Sequence, residues 1–336
     1  MKGRRRFWGG RFLLVAAGGL LPLLVAGIAE WNLRRDGFQF EPWRYYRRFG
    51  ANFEAEEIES YAKDPDLFWR FRPSQTLRTW WVEEATINRY GFRGEDFPEK
   101  KEPGVLRVLC AGDSGTFGWG VRDNESFSVY LQEFLGRRWG EGKVQVVNAG
   151  VPGYSSHQGL HVLKKWGPRL RPDIVIFSFG RNDHNPTAWL TDRQRKKIPR
   201  PLVELQNVLL RTRLYQWFYM RTTLYMYIEH REKFLGSRRE TVRVTLSEYE
   251  ENLRRAAALC RDGGADIVFV PRSQQMAYID VMKRVAKETG SRYVDLEKFS
   301  SDRGIKDYSL GEHPGWPAYK RLAEIVGEEV ARLKTP

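Results

Sequence analysis

From residue 105 onward, short apolar runs alternate with longer segments of helical periodicity. The apolar runs are rich in β-branched residues and bounded by turn residues, which is typical of buried strands; they cover 105–111, 143–148, 173–179, 266–271 and 292–296. Apolar side chains elsewhere recur every three or four positions and predict helices over 126–138, 157–166, 247–262, 275–289 and 316–333. This alternation predicts a doubly wound α/β fold, in which a five-stranded parallel sheet has helices on both faces.

Two segments do not fit the alternation. Residues 186–245 are too long for a plain connection between the third and fourth strands, and they open with a basic run followed by aromatic-rich helical sequence. They predict a helical cap near the carboxyl ends of the strands. Residues 32–104 are rich in aromatic residues and arginine, and we expect them to form a lead-in of short strands and turns packed on the main domain, 105–336.

The amino terminus carries the longest apolar run of the chain. Residues 12–29 contain no charge, and a basic segment precedes them. Eighteen apolar residues are just enough to cross a bilayer, and a basic flank favours retention of that end in the cytoplasm. We therefore predict that residues 1–31 form a transmembrane anchor that leaves the rest of the protein periplasmic or extracellular. A cleaved signal peptide is the alternative, since Gly27-Ile28-Ala29 resembles a cleavage site.

Composition and charge narrow the classes of partner. The chain has 336 residues, of which 41% are hydrophobic and 29% charged, so a folded core is expected. A net charge of +14 favours an anionic partner such as a membrane surface or an acidic glycan. The sequence contains no nucleic-acid-binding motif, so nucleic acid is not an expected partner. Cys110 and Cys260 fall in a predicted strand and a predicted helix, where we expect buried thiols rather than a disulfide or metal ligands.

Polar turns follow the first three predicted strands. They are Gly112-Asp113-Ser114, the segment 148–153 and Gly180-Arg181-Asn182-Asp183, and His313 comes near the end of the chain. The carboxyl ends of parallel strands share one rim of a sheet, so these groups can converge there. Acyl transfer requires such a set: a serine attacks a carbonyl, a histidine accepts its proton, and fixed N–H donors stabilise the oxyanion.

These blocks resemble those of the SGNH, or GDSL, hydrolase superfamily over roughly residues 105–330, and 64–125 resembles the lead-in of envelope-associated bacterial members. The resemblance implies a flavodoxin-like fold and an esterase without a cofactor. It also implies that Ser114 is the nucleophile and His313 the general base. The oxyanion hole would then comprise the backbone N–H groups of Ser114 and Gly153 and the side-chain amide of Asn182.

The sequence departs from the family pattern at one position. The family places a histidine-orienting aspartate three residues before the histidine, where this chain has Leu310. Asp307 and Glu312 are the carboxylates nearby, and a bulged loop would let Asp307 orient His313. Without either, a backbone carbonyl would serve a Ser-His dyad.

The other charged and histidine side chains near these blocks have different predicted roles. Arg181 and His184 adjoin the third block, so we predict that they bind substrate. His157 and His161 have the i, i+4 spacing of metal ligands, but no glutamate lies between them, and we predict no metal site. Asp113 and Asp183 are expected to bond neighbouring loop amides and not to take part in catalysis.

The sequence thus predicts a serine esterase that cleaves an O-acyl ester on an envelope polysaccharide or a lipid. Two alternatives remain open. An O-acyltransferase would pass the same acyl group to a glycan hydroxyl instead of water. A catalytically weakened protein of the same fold would bind the envelope without turnover.

Overall fold

The computed structural model describes residues 4–38, 60–79, 82–187, 190–222, 241–299, 301–302, 305–306, 308, 313 and 315–334. For residues 4–19 and 79 it describes the backbone only. Asp307, Leu310 and Glu312, which bear on the orientation of His313, lie outside the described residues.

A five-stranded parallel sheet organises the main domain. Its strands are β1 (Leu106–Gly112), β2 (Val144–Asn148), β3 (Ile174–Ser178), β4 (Asp266–Phe269) and β5 (Arg292–Tyr293). They lie in the order β5-β4-β3-β1-β2, and every neighbouring pair is parallel. Strand order therefore reverses between β1 and β3, and such a switch point opens a crevice at the carboxyl ends of the strands. The predicted doubly wound sheet is confirmed.

Helices cover both faces of this sheet. The helices of the described chain include α1 (Arg4–Arg35), α2 (Ser114–Phe117), α3 (Phe127–Trp139), α4 (Ser156–Leu170), α5 (Arg200–Leu209), α6 (Leu246–Asp262), α7 (Met276–Thr289) and α8 (Trp316–Ala331). Side chains of α3 and α8 share one buried cluster with Val108 and Cys110, whereas those of α4, α6 and α7 share the other with Leu109 and Ala111. Successive residues of β1 thus point to opposite faces, and both faces are buried, which explains why its sequence is apolar except at Arg107.

The predicted elements agree with these bounds to within a few residues, with one clear exception. The fifth strand was expected over 292–296, but β5 comprises only Arg292–Tyr293. The chain turns into a 3₁₀ helix at Leu296–Phe299, where Leu296 is buried in the α3–α8 face. Apolar residues after a short edge strand therefore belong to the turn, because periodicity alone does not separate the two.

The lead-in forms two antiparallel hairpins, Tyr61–Asp64 with Phe68–Phe71 and Gln75–Thr79 with Val82–Ile87. The first hairpin reaches the second predicted block, because Trp69 Nε1 donates to the Pro152 carbonyl over 3.2 Å. Tyr154 Oη donates in return to the Trp69 carbonyl over 2.6 Å. The lead-in thus braces the turn that follows β2.

The described part of the insertion contains helix α5 and a helical stretch at 213–222. Its ends meet, since Pro186–Thr187 pairs with Thr241–Val242. The Asn207 amide bonds both the backbone N–H and the carbonyl of Lys63, so α5 packs on the first hairpin. Residues 188–189 and 223–240 lie outside the described residues, and a cap over the strand ends stays a prediction.

The predicted anchor falls in helix α1. Glu30, near its carboxyl end, accepts a hydrogen bond from the Leu214 N–H over 2.7 Å. None of the helices, as far as their residues are described, combines the length and the apolar character needed to cross a membrane. The transmembrane anchor stays a prediction.

Candidate active site

The turn after β1 presents Ser114 at the carboxyl edge of the sheet. Ser114 is the first residue of α2, and Asp113 caps this helix by accepting a hydrogen bond from the Gly115 N–H over 2.8 Å. Gly112 precedes it in a crowded position, where a Cβ atom would lie 1.9 Å from Thr116 Oγ1 and 2.9 Å from the Ser178 carbonyl. The glycine lets β1 turn sharply beside β3, and this turn exposes the serine to the crevice.

His313 meets Ser114 although 199 positions separate them in the chain. Its Nε2 lies 2.8 Å from Ser114 Oγ, a hydrogen-bond distance suited to proton transfer. The Trp119 ring stacks on the imidazole, with centroids 4.9 Å apart and planes inclined by 21°. Loss of hydration at the imidazole and the nearby Arg272 lower the pKa of His313 below its usual 6.5. His313 is an exposed residue, and its contact with solvent limits this lowering.

Three N–H donors lie on the turns beside Ser114. The backbone N–H groups of Ser114 and Gly153 make no hydrogen bond to any other residue that the structure describes. The Asn182 amide follows β3, and its Nδ2 donates to the Tyr154 carbonyl over 3.1 Å and to Asp113 Oδ2 over 3.3 Å. The predicted oxyanion residues therefore follow neighbouring strands β1, β2 and β3, as parallel pairing requires.

Asn148 ties the turn after β2 to the turn that carries Ser114. Its Oδ1 accepts from the Gly150 N–H over 3.0 Å, and its Nδ2 donates to the Phe117 carbonyl over 3.2 Å. The two turns touch so closely that a Cβ atom on Gly150 would lie 2.3 Å from the Phe117 nitrogen. Only a glycine permits this approach, so Gly150 sets the separation of the two blocks.

A buried ion pair supports the serine turn from below. Arg272 follows β4, and its Nε lies 2.7 Å from Asp113 Oδ1, with both side chains fully buried. Burial opposes the charge on Arg272, but the Asp113 carboxylate outweighs this and raises the pKa of the guanidinium. The guanidinium also packs on Gly115, where a Cβ atom would lie 2.4 Å from Arg272 Nη1. Asp113 thus links Arg272, the serine turn and the Asn182 amide.

A second buried arginine comes from the lead-in. Arg93 donates to three carbonyls of the segment after Ser114: Phe117 over 3.0 Å, Gly118 over 2.6 Å and Val121 over 2.7 Å. Its Nε lies 2.9 Å from Asp123 Oδ1. The lead-in therefore fixes the segment that carries Trp119 as well as the turn after β2.

A third buried arginine supports the turn that contains Gly153. Arg243, at the end of the insertion, donates to the Gly153 carbonyl over 2.5 Å. Asp192 balances its charge at 2.8 Å, and both side chains are almost fully buried. Gly153 has a φ of +80°, a conformation that favours glycine. The insertion thus holds the backbone of Gly153, whose N–H group is a predicted oxyanion donor.

Asp183 connects the turns after β2 and β3. Its carboxylate accepts from the Gly180 N–H over 3.0 Å and from Ser156, through the backbone N–H and through Oγ over 2.5 Å. Burial raises the pKa of Asp183 to about 7, although the bonds from Ser156 act against this. Asp113 and Asp183 both accept hydrogen bonds from loop N–H groups, as the sequence predicts for these two residues.

The predicted substrate-binding residues and the two histidines of α4 lie in different places. Arg181 and His184 follow β3, and His184 Nδ1 lies 3.0 Å from the Gly180 carbonyl, so this ring nitrogen faces the protein. His157 and His161 stack on each other within α4, with ring centroids 4.8 Å apart. Among the described residues, no group of three or more His, Cys, Asp or Glu side chains is placed to hold a metal.

Sequence reasoning missed these three buried arginines, Arg93, Arg243 and Arg272. Arg272 carried the one usable signal, a cation placed directly after an apolar run that predicts a buried strand. Arg93 and Arg243 stand among many other arginines in segments without periodicity, so nothing local marks them. Cys110 and Cys260, in contrast, are buried and free, as expected.

Comparison with known proteins agrees with this geometry. Residues 110–321 match the GDSL-like Lipase/Acylhydrolase family, and since this covers more than half of the chain, the protein belongs to that family. The match confirms the resemblance to the SGNH, or GDSL, hydrolases that the sequence blocks indicate.

Individual proteins that resemble this chain share only a small fraction of its residues. An acetylxylan esterase of Xylanibacter ruminicola is 21% identical over 259 residues, which cover 70% of this chain and 45% of the relative. The chain thus spans about half the length of this curated relative. Among solved structures, TesA is 20% identical with a TM-score of 0.44, covering 68% of this chain and all of that one. A catalytic mutant of Axe2, an acetylxylan esterase from Geobacillus stearothermophilus, is 18% identical with a TM-score of 0.42, covering 69% and 96%.

Proposed function

We propose that the protein is a serine esterase that cleaves an O-acyl ester through a covalent intermediate on Ser114. The observation that carries the proposal is the 2.8 Å contact between Ser114 Oγ and His313 Nε2 at the switch point of the sheet. Membership of a family of lipases and acylhydrolases supports the same reaction class.

The reaction would proceed in two steps. Ser114 Oγ attacks the ester carbonyl while His313 Nε2 takes its proton, and the imidazolium then protonates the departing alcohol. Water, deprotonated by His313, next releases the acid from the acyl-serine. The N–H groups of Ser114 and Gly153 donate to the oxyanion in both steps. The Asn182 amide would join them by exchanging its longer bond, to Asp113, for one to the oxyanion.

The group that orients His313 is part of the proposal. We retain Asp307 for this role, with Glu312 and a backbone carbonyl as the alternatives. Asp307→Asn should then lower kcat by orders of magnitude, as removal of an orienting carboxylate does in serine proteases. Glu312→Gln is the matched control, and a large loss in that variant instead would assign the role to Glu312.

For the substrate we propose an acetylated polysaccharide, with a lipid ester as the second candidate. The acetylxylan esterase relative supports the first, and the net charge of +14 is suited to an acidic glycan. A location outside the cytoplasm, on a membrane anchor formed by residues 1–31, stays part of the proposal.

Hydrolysis of 4-nitrophenyl acetate and butyrate, followed by acetate release from acetylated glycans, tests the proposal. The wild type should turn over the acetate ester, and Ser114→Ala should abolish turnover. Ser178→Ala is the matched control, because this buried serine bonds Tyr308 and not His313. Acylated product that forms only with an added glycan acceptor would indicate an acyltransferase. Equal inactivity of wild type and Ser114→Ala, with glycan binding retained in both, would indicate a binding protein.

A further inference from the structure

Helix α5 has apolar side chains on two opposite sides. Val203 and, directly after the helix end, Leu210 are buried on one side, together with the polar Asn207. Leu202, Leu205 and Val208 lie away from them, with 55%, 54% and 61% of their surface exposed. A surface helix normally places polar residues on its solvent side, and one that is apolar all round is normally covered on both sides.

Two further apolar residues of the insertion, close to α5 in the chain, are also exposed. Ile198 precedes α5 with 48% of its surface exposed, and Phe218 follows it in the helical stretch 213–222 with 55% exposed. We call these five residues, Ile198, Leu202, Leu205, Val208 and Phe218, the insertion surface. Several large apolar side chains that are exposed within one short segment are typical of an interaction site.

Basic side chains are frequent in the segment that carries the insertion surface. Residues 193–222 contain eight Lys or Arg residues and a single carboxylate, Glu204. Some of the cations pair with the main domain, for example Arg193 with Glu251. Lys196, Arg200 and Arg211 are exposed instead. Apolar side chains framed by cations are complementary to a surface that is anionic outside and apolar beneath, which is the profile of an anionic bilayer.

Helix α1 supplies a second, independent observation. Its Glu30 carboxylate is bonded to the Leu214 N–H, at the start of the helical stretch that carries Phe218. The residues that lead to this joint are apolar and more than half exposed: Leu20, Leu21, Leu23, Leu24, Val25 and Ile28. The insertion surface and the exposed apolar residues of α1 therefore both adjoin the contact between Glu30 and Leu214, and no described residue covers either set. A single extended apolar phase would cover both.

We propose that the insertion surface lies in the headgroup region of an anionic lipid bilayer, with the side chains of α5 inserted among the acyl chains. An amphipathic helix of this kind lies in the plane of the interface and does not cross the membrane. The proposal concerns where the protein docks and does not depend on the ester chemistry.

An environment-sensitive fluorophore on Leu205→Cys in the full chain tests the docking. Cys110 and Cys260 are buried, and burial raises the pKa of the Cys260 thiol to about 12, so the introduced thiol is labelled selectively. The probe should shift to the blue with vesicles that contain phosphatidylglycerol, and less with phosphatidylcholine alone. Arg200→Gln should raise the lipid concentration at half response about fivefold. Leu246→Cys, exposed at the start of α6, is the matched control and should not respond.

Three results would overturn the proposal. Vesicle binding without a response at position 205 would show that another part of the chain, such as α1, binds lipid alone. A blue-shifted probe before lipid is added would show that protein, either this chain or a second copy, covers the surface. An equal response to both lipid compositions would exclude recognition of an anionic surface.

Discussion

The Arg272 guanidinium lies 2.7 Å from the Asp113 carboxylate, and neither side chain has measurable contact with solvent. This pair is adjacent to Ser114, since Asp113 precedes the serine and caps its helix. Two charges are costly to bury, so the pair persists only while each partner compensates the other. The serine turn is therefore held by an electrostatic contact between the ends of β1 and β4.

Loss of one partner of this pair should destabilise the whole domain. Arg272→Met leaves the Asp113 carboxylate buried and unpaired, and we expect the free energy of unfolding to fall by about 3–5 kcal/mol. Urea denaturation measures the change. Lys101→Met is the control, because its pair with Asp173 is partly exposed and should contribute about 0–1 kcal/mol. If adding Asp113→Asn to Arg272→Met restores no stability, the pair is not the cause.

Removal of the Asn182 amide should affect the reaction rather than the fold. In the proposed mechanism this side chain binds the oxyanion, so Asn182→Ala should lower kcat about 10²–10³-fold with little change in KM. Steady-state kinetics with 4-nitrophenyl acetate measures both constants. Asn207→Ala removes a buried amide in α5 and should leave kcat unchanged. A rise in KM at constant kcat would instead place Asn182 in ground-state binding.

Trp119 should control the pH dependence of the reaction. His313 acts as a base only when neutral, so kcat/KM should rise with pH through its pKa, with the midpoint below 6.5 in the wild type. Trp119→Ala removes the stacked ring and hydrates the imidazole, which makes the imidazolium less unfavourable and shifts the midpoint upward, towards 6.5. A pH profile of kcat/KM detects this shift, and Trp31→Ala, an exposed residue of α1, should show none.

The same profile also reports on the orienting group. A wild-type midpoint above 6.5 would mean that a carboxylate beside His313, such as that of Asp307, outweighs the effect of burial, whereas a midpoint below 6.5 means that burial outweighs any such carboxylate. The lowered pKa of His313 also determines how its contribution to stability depends on pH, because the unfolded state binds the proton more readily than the folded state. The contribution of His313 to the free energy of unfolding is therefore present above pH 6.5 and is lost as the pH falls below it.

Local pattern was enough to predict the sheet and the chemical blocks. The residues of β1 and β3 are apolar except at Arg107 and Ser178, because both faces of the sheet are covered, and this signal does not depend on distant contacts. Once the strands are parallel, their carboxyl ends must share one edge, so Ser114, Gly153 and Asn182 could be assigned to one site. The length of the edge strand β5 was overestimated, because the apolar residues that follow it belong to a turn and a 3₁₀ helix.

The supports of the site depended on the tertiary structure alone. An arginine on a solvated face and one that is fully buried look alike in sequence, and what separates them is a partner far along the chain. Arg93 reaches Gly118, Arg243 reaches Gly153 and Arg272 reaches Asp113, across 25, 90 and about 160 positions. The sequence by itself therefore determined which residues can do chemistry and at which edge of the sheet. Only the folded chain decided which charges hold them in place, because burial and pairing of a charge arise from distances in space.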